Sequence, residues 1–200
     1  MAEWERMKRG VMYNDFDNDL FQRRVDAKRL FRQYNATDDD QTERRDQIMS
    51  ELFKHVGARV WIEPDFRCEF GKNIAIGDDV YINFGCIILD CADVTIGPRT
   101  LIGPNCGIYA ANHAIDAAER INGGCVGKAI SIGKNVWVGG DVKILPGVTI
   151  GDNAVIGAGS VVTRSIPANV VAAGNPCRVV RPITADDKTD YLATLSTVRP

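Results

Sequence analysis

From Ile76 onward an aliphatic residue returns every six positions. Ile76, Ile82 and Ile88 begin the series, and Ile96, Ile102 and Ile108 resume it after a two-residue insertion near Asp90–Val94. Ile132, Val138, Ile144, Ile150, Ile156 and Val162 complete it. Glycine often follows directly, as at Gly77, Gly97, Gly133 and Gly151, and four residues on stands a small or β-branched residue such as Val80, Cys86, Thr100, Cys106 or Ser160. Neither the helical period of about 3.6 nor the strand period of about 2 generates a lattice of six. A fixed repeat of this kind marks a solenoid. Six residues make one short strand and a turn, and three such sides close a triangular coil. The aliphatic points into the prism, the small residue fits beside it near the corner, and glycine is expected to supply the turn conformation. The expected fold is therefore mainly β: a left-handed parallel β-helix over residues 58–182.

The lattice is interrupted once. From Ile108 to Ile132 the phase is kept, yet residues 113–129 lack the pattern, which reads as a loop extruded from one coil. Loops held by a rigid scaffold are frequent carriers of function. Residues 1–57 have dense charge and little glycine. Leu20, Phe21, Val25, Leu30, Phe31 and Tyr34 recur at spacings that make one helical face. Ile48, Leu52 and Phe53 form a second, after Thr37-Asp38-Asp39-Asp40, whose acids suit a helix start. This region is expected to be a helical cap. Residues 183–200 form a polar tail, partly helical or frayed.

Bulk properties narrow the function. A net charge of −2 gives no reason to expect nucleic acid or a membrane as partner. The N-terminus lacks the apolar run of a secretory signal, and no stretch approaches a membrane span, so a cytoplasmic location is expected. The six cysteines contain no C-x-x-C pair and read as reduced, buried fillers. The two histidines cannot supply the three imidazole ligands of a zinc hydratase, so no metal is expected. His55 reads as a surface or packing histidine of the helical region. His113 opens the extruded loop, where the scaffold holds it at a cleft. Imidazole takes protons near neutral pH, so His113 is a candidate general base.

The run Tyr81-Ile82-Asn83-Phe84, then Asn112-His113, then Ser131 to Gly139 resembles the maltose and galactoside O-acetyltransferases. Pro146 to Asn153, Gly157 to Thr163 and Ala173-Gly174-Asn175-Pro176-Cys177-Arg178-Val179 extend the resemblance. So do Met7-x-x-Gly10-x-x-Tyr13 and Arg29-Leu30-Phe31-x-x-Tyr34-Asn35 in the cap, so that it spans nearly the whole chain. The resemblance implies transfer of acetyl from acetyl-CoA to a sugar hydroxyl by direct attack, without an acyl-enzyme. His113 would be the general base and Asn83 would orient the acceptor; the alternative for Asn83 is a turn residue at a coil corner. Asp15 and Arg24 would bind the sugar, unless they are a helix-terminus acid and a surface arginine. Glu69 and Cys91 depart from the galactoside enzymes, and Asp90 would take over part of the lost acidic contact. Backbone groups at Gly140 and Ala158 would hold the pantetheine arm, Gly140 also serving the oxyanion. Thr163, Arg164, Arg178 and Arg181 would meet the phosphates, arginine giving paired, charge-assisted bonds. Family members assemble as homotrimers with sites between neighbouring coils.

Two other readings share the scaffold. One keeps the donor and changes the acceptor to an antibiotic, a lipo-oligosaccharide or serine. The other is a non-catalytic β-helix serving as a scaffold subunit, against which the presence of His113 and its loop counts.

Overall fold

A computed structural model describes residues 1–191; residues 192–200 of the expected tail lie outside it. Fifteen short strands form three parallel faces, joined by three columns of corners. The first face holds His55–Val56, Ile74–Ile76, Val94–Ile96, Ile130–Ile132 and Thr149–Ile150. The second holds Trp61–Ile62, Tyr81–Ile82, Leu101–Ile102, Trp137–Val138 and Val155–Ile156. The third holds Arg67–Cys68, Ile87–Leu89, Gly107–Tyr109, Lys143–Ile144 and Val161–Val162. Pairing places the lattice residues in register: Ile76 meets Ile96, Ile96 meets Ile132, and Ile132 meets Ile150. All twelve lattice aliphatics are buried. At about 25 cal/mol per Å² of apolar surface, each such side chain contributes roughly 1.5–3 kcal/mol, so this column is the main cohesive element of the chain.

The solenoid begins at His55, three residues before the expected boundary at 58 and a full coil before the first lattice residue, Ile76. A first coil, with Val56, Ile62 and Cys68 at the inward positions, pairs with the second coil. His55 therefore sits on a strand rather than in the helical region, with its side chain outside. At the far end, Val170–Ala173 extends the second face in parallel, and Arg178–Pro182 then pairs with it antiparallel.

The corners correct the expected role of the glycines that directly follow the aliphatics, although Gly85, Gly147 and Gly159, three places after Ile82, Ile144 and Ile156, do take the left-handed turn conformation. The residues in the left-handed region stand three places after the aliphatic: Asp79, Arg99, Asn135 and Asn153 at the first corner, with φ between 56° and 60°. Asn and Asp tolerate this conformation because their short polar side chains bond locally. Asn135 donates to Asn153 Oδ1 at 2.9 Å and Asn153 to Asn169 Oδ1 at 2.8 Å, which makes an asparagine ladder up this edge. The glycine directly after the aliphatic serves close approach instead. A Cβ on Gly97 would lie 2.5 Å from the Gly133 carbonyl carbon.

The helices are α1 (Glu3–Lys8), α2 (Asn18–Asn35), α3 (Thr42–Leu52) and α4 (Ala117–Ile121). Asp17 caps α2 by accepting from the N–H groups of Asp19 and Leu20. The buried face of α2 is Leu20, Ala27, Leu30, Phe31 and Tyr34, whereas Phe21 and Val25 face solvent. The cap docks on the first coil: the Tyr34 hydroxyl donates to the Ile62 carbonyl at 2.6 Å, and the Asn35 amide exchanges bonds with the Phe66 backbone at 2.8 and 3.0 Å. Helix α3 starts at Thr42, after the acids at 38–40, and its N-cap Gln41 makes no side-chain cap bond. Asp39 instead pairs with buried Arg45 at 2.7 Å.

Residues 113–129 do leave the coil, but not as irregular chain. Ala111–His113 runs out, α4 turns the chain, and Gly124–Gly127 returns antiparallel. Tyr13–Asn14 adds a third strand.

Candidate active site

His113 ends the outgoing strand at the corner between the third and first faces. Its backbone lies opposite Cys125, and Cys125 lies opposite Tyr13. The cap segment, the returning strand and the histidine strand thus form one small sheet, a firmer mount than a free loop. Arg120 fastens the next turn by donating to the Ala114 and Ile115 carbonyls at 2.9 and 2.8 Å. The imidazole is exposed and has no side-chain hydrogen bond among the described residues. Tyr13, Cys91 and Cys125 are packed beneath this sheet. Burial pushes the Cys125 thiol up, keeping it protonated and a poor nucleophile.

Asp15 and Arg24 come together at the same edge. The Asp15 N–H donates to the Gly123 carbonyl at 2.8 Å, tying the cap to the loop. Arg24 donates to the Asp15 carboxylate, to the Asp15 carbonyl at 3.0 Å and to the Glu69 carboxylate, with its guanidinium 5.2 Å from the Phe70 ring centre. Burial opposes the Arg24 charge, but the two carboxylates outweigh it and hold the group above its ordinary pKa. From sequence, Glu69 stands only as a departure from the galactoside pattern; in space it is the third member of this triad.

Asp90 does not bind an acceptor, contrary to expectation. It is fully buried, and its carboxylate accepts from the backbone N–H groups of Glu69, Phe70 and Asn73 at 3.1, 2.8 and 3.2 Å. No face of it is left for a ligand. Burial raises its pKa to about 6, against the pull of these backbone donors.

Asn83 stands at the corner between the second and third faces, across the third face from His113. Its Oδ1 accepts the Phe84 N–H at 2.8 Å, and its own N–H donates to Ile102. One chain therefore does not bring Asn83 and His113 together. Gly140 and Ala158 lie two coils and three coils further up this same column, at the positions equivalent to Phe84 and Pro104. The Phe84 N–H is taken by Asn83 and Pro104 has none, whereas the N–H groups of Gly140 and Ala158 have no acceptor among the described residues. Two free, stacked donors at a corner suit an extended amide-bearing ligand.

Thr163 and Arg164 are exposed on the His113 side of the third face, and Arg178 and Arg181 lie on the last strand. Arg181 is already engaged with Asp187 at 2.6 and 2.8 Å, which draws that carboxyl down to about 2. Arg164 and Arg178 have no acid partner among the described residues. Trp137 is exposed on the outer side of the second face. Among the described residues no cluster of three or more metal-binding side chains occurs, and no helix is long and apolar enough to cross a membrane.

Comparison with known proteins covers this whole architecture. Residues 6–57 match the maltose acetyltransferase hexapeptide capping motif, and residues 129–164 match the bacterial transferase hexapeptide with six repeats. The chain is 44% identical over 191 residues to the galactoside O-acetyltransferase of Escherichia coli strain K12, covering 96% of this chain and 94% of that one. A maltose O-acetyltransferase structure from Clostridium difficile 630 superposes with a TM-score of 0.90 at 46% identity, covering 92% and 98%. A galactoside acetyltransferase in complex with coenzyme A gives 0.90 at 43% identity, covering 96% of each chain.

Proposed function

The chain belongs to the maltose and galactoside O-acetyltransferase family of hexapeptide-repeat acyltransferases and is an acetyl-CoA-dependent O-acetyltransferase, and we propose that it acetylates a hydroxyl of a sugar such as maltose, glucose or a galactoside with His113 as general base. The observation that carries this reading is the small sheet that mounts His113 beside the Asp15–Arg24–Glu69 triad. A proton acceptor and a set of groups that fix hydroxyl positions then share one edge.

Acetyl-CoA supplies the activated thioester. The free Ala158 N–H holds its amide-bearing arm, and the free Gly140 N–H faces the thioester carbonyl oxygen as negative charge develops there. Arg164, Arg178 and Thr163 receive the phosphates; Arg181 joins them only by giving up Asp187. His113 removes the proton from the acceptor hydroxyl as it attacks, then returns that proton to the leaving sulfur. Asn83 of a neighbouring subunit orients the acceptor against this histidine. The separation of Asn83 from His113 within one chain favours sites between subunits, as the homotrimer expected from the family would supply. The helical cap, residues 1–57, serves the acceptor side. A cytoplasmic location agrees with six cysteines that are all free thiols.

The test is thiol release from acetyl-CoA with glucosides, galactosides and maltose. Turnover with at least one sugar is expected, and His113→Ala is expected to lower kcat about 10²–10⁴-fold. Undiminished turnover in that variant would remove His113 from the role of base.

A further inference from the structure

Helix α2 crosses the third face of the solenoid and leaves a groove of about 600 Å³ between them. Phe31, Ile87 and Leu89 contribute apolar lining to it. Lys28 and Arg32, one helical turn apart on α2, and Arg67 on the first-coil strand line its walls. These three cations have no acid partner among the described residues. The other arginines of α2 do: Arg23 pairs with Asp19, Arg24 with Asp15 and Glu69, and Arg29 with Asp26. Two acids also line the groove, Asp65 and Glu69, and Glu69 is already committed to Arg24. The groove thus retains an excess of positive charge, carried by exposed side chains that an anion can reach.

Glu69 belongs both to this groove and to the triad with Arg24 and Asp15, so the groove borders the proposed acceptor site. We infer that it is a subsite for a negatively charged group on the acceptor, a phosphate or a carboxylate. This deepens the acetyltransferase reading and rests on it. The chemistry suits the class: guanidinium groups bind both anions through paired, charge-assisted bonds.

The experiment compares maltose, maltose 1-phosphate and maltobionate as acceptors for the full-length enzyme, read as kcat/KM from thiol release. The three share the non-reducing glucosyl ring and differ in charge at the other end. The expected result is an advantage of about tenfold or more for a charged acceptor over maltose. The two charged compounds distinguish phosphate from carboxylate. The double variant Arg32→Gln/Arg67→Gln should bring the advantage to near one while maltose turnover persists. Inorganic phosphate should compete with the charged acceptor more strongly than with maltose. Equal kcat/KM for all three in the wild type, or an advantage that survives in the double variant, overturns the subsite and leaves the acetyltransferase reading standing. Absence of turnover with every acceptor overturns that reading as well.

Discussion

Asp15 and Asp90 are both carboxylates near the His113 corner, and burial gives them different work. Asp15 stays half-open and answers Arg24, while Asp90 is sealed in and holds three backbone donors. Removing it with Asp90→Ala leaves those donors buried and unpaired. The expected loss is about 2–5 kcal/mol in urea unfolding, with Glu69 and hence Arg24 displaced. Its titration gives a second readout. The folded carboxyl binds its proton up to about pH 6, against 3.8 as the ordinary value, so the folded state binds more protons between those limits. Wild-type stability relative to Asp90→Asn should therefore fall as pH rises from about 4 to about 6, by on the order of 3 kcal/mol, and then level off. A flat difference across that window would show that burial does not govern the group. The sequence could not separate these two aspartates. Family position marks Asp15 and adjacency to Cys91 marks Asp90 as acceptor candidates, and only the path of the chain from Glu69 to Asn73 reveals that one is enclosed. The same limit applies to Arg181, whose partner Asp187 lies on a later turn.

At the scale of the element, the coil corner is the unit that matters. The six-residue lattice was legible because twelve aliphatics kept phase, and with it the faces, the core and the extruded loop. The expected bounds of 58–182 take in most of the first coil, but its inward residues Val56, Ile62 and Cys68 precede the run of Ile-Gly pairs and were not legible as lattice positions, although they stand twenty residues from their partners Ile76, Ile82 and Ile88. Phe21 and Val25 misled the helical pattern because apolar spacing cannot tell a buried face from an exposed neighbour of it. The glycine rule was read as conformational, but the structure makes it a matter of distance between stacked corners. This has a direct test at the site. A Cβ on Gly103 would lie 2.6 Å from the Gly140 nitrogen, closer than unbonded atoms allow. Gly103→Ala should push the Gly140 N–H off its line. It should raise the KM for acetyl-CoA or lower kcat by about tenfold, and cost about 1–3 kcal/mol of stability. Unaltered kinetics in a folded variant would show that the Gly140 donor plays no part.

For the whole molecule, the decisive fact is that the candidate groups occupy two corners of one prism. If each site takes His113 from one subunit and Asn83 from the next, two inactive variants can repair each other. His113→Ala and Asn83→Ala, mixed in equal amounts by joint refolding, should recover about a quarter of wild-type activity, the fraction of interfaces that unite two intact groups by chance. If both groups served one chain, the mixture would stay as inactive as its parts. Sedimentation should show three copies per particle.

A stack of parallel strands has no natural length, because each coil offers the next the same open ladder of N–H and C=O groups. Here the final coil does not leave that ladder bare. Val170–Ala173 meets Arg178–Pro182 running the opposite way, and the strand so added carries two arginines and a proline toward solvent. A further parallel coil finds neither the right polarity nor a full set of donors, and the charges repel an approaching edge. At the other end, α3 and the docked cap cover the first coil. The reversed strand thus works as a chain terminator in the polymer sense: it is what makes this solenoid a molecule of finite length and not the seed of a fibre.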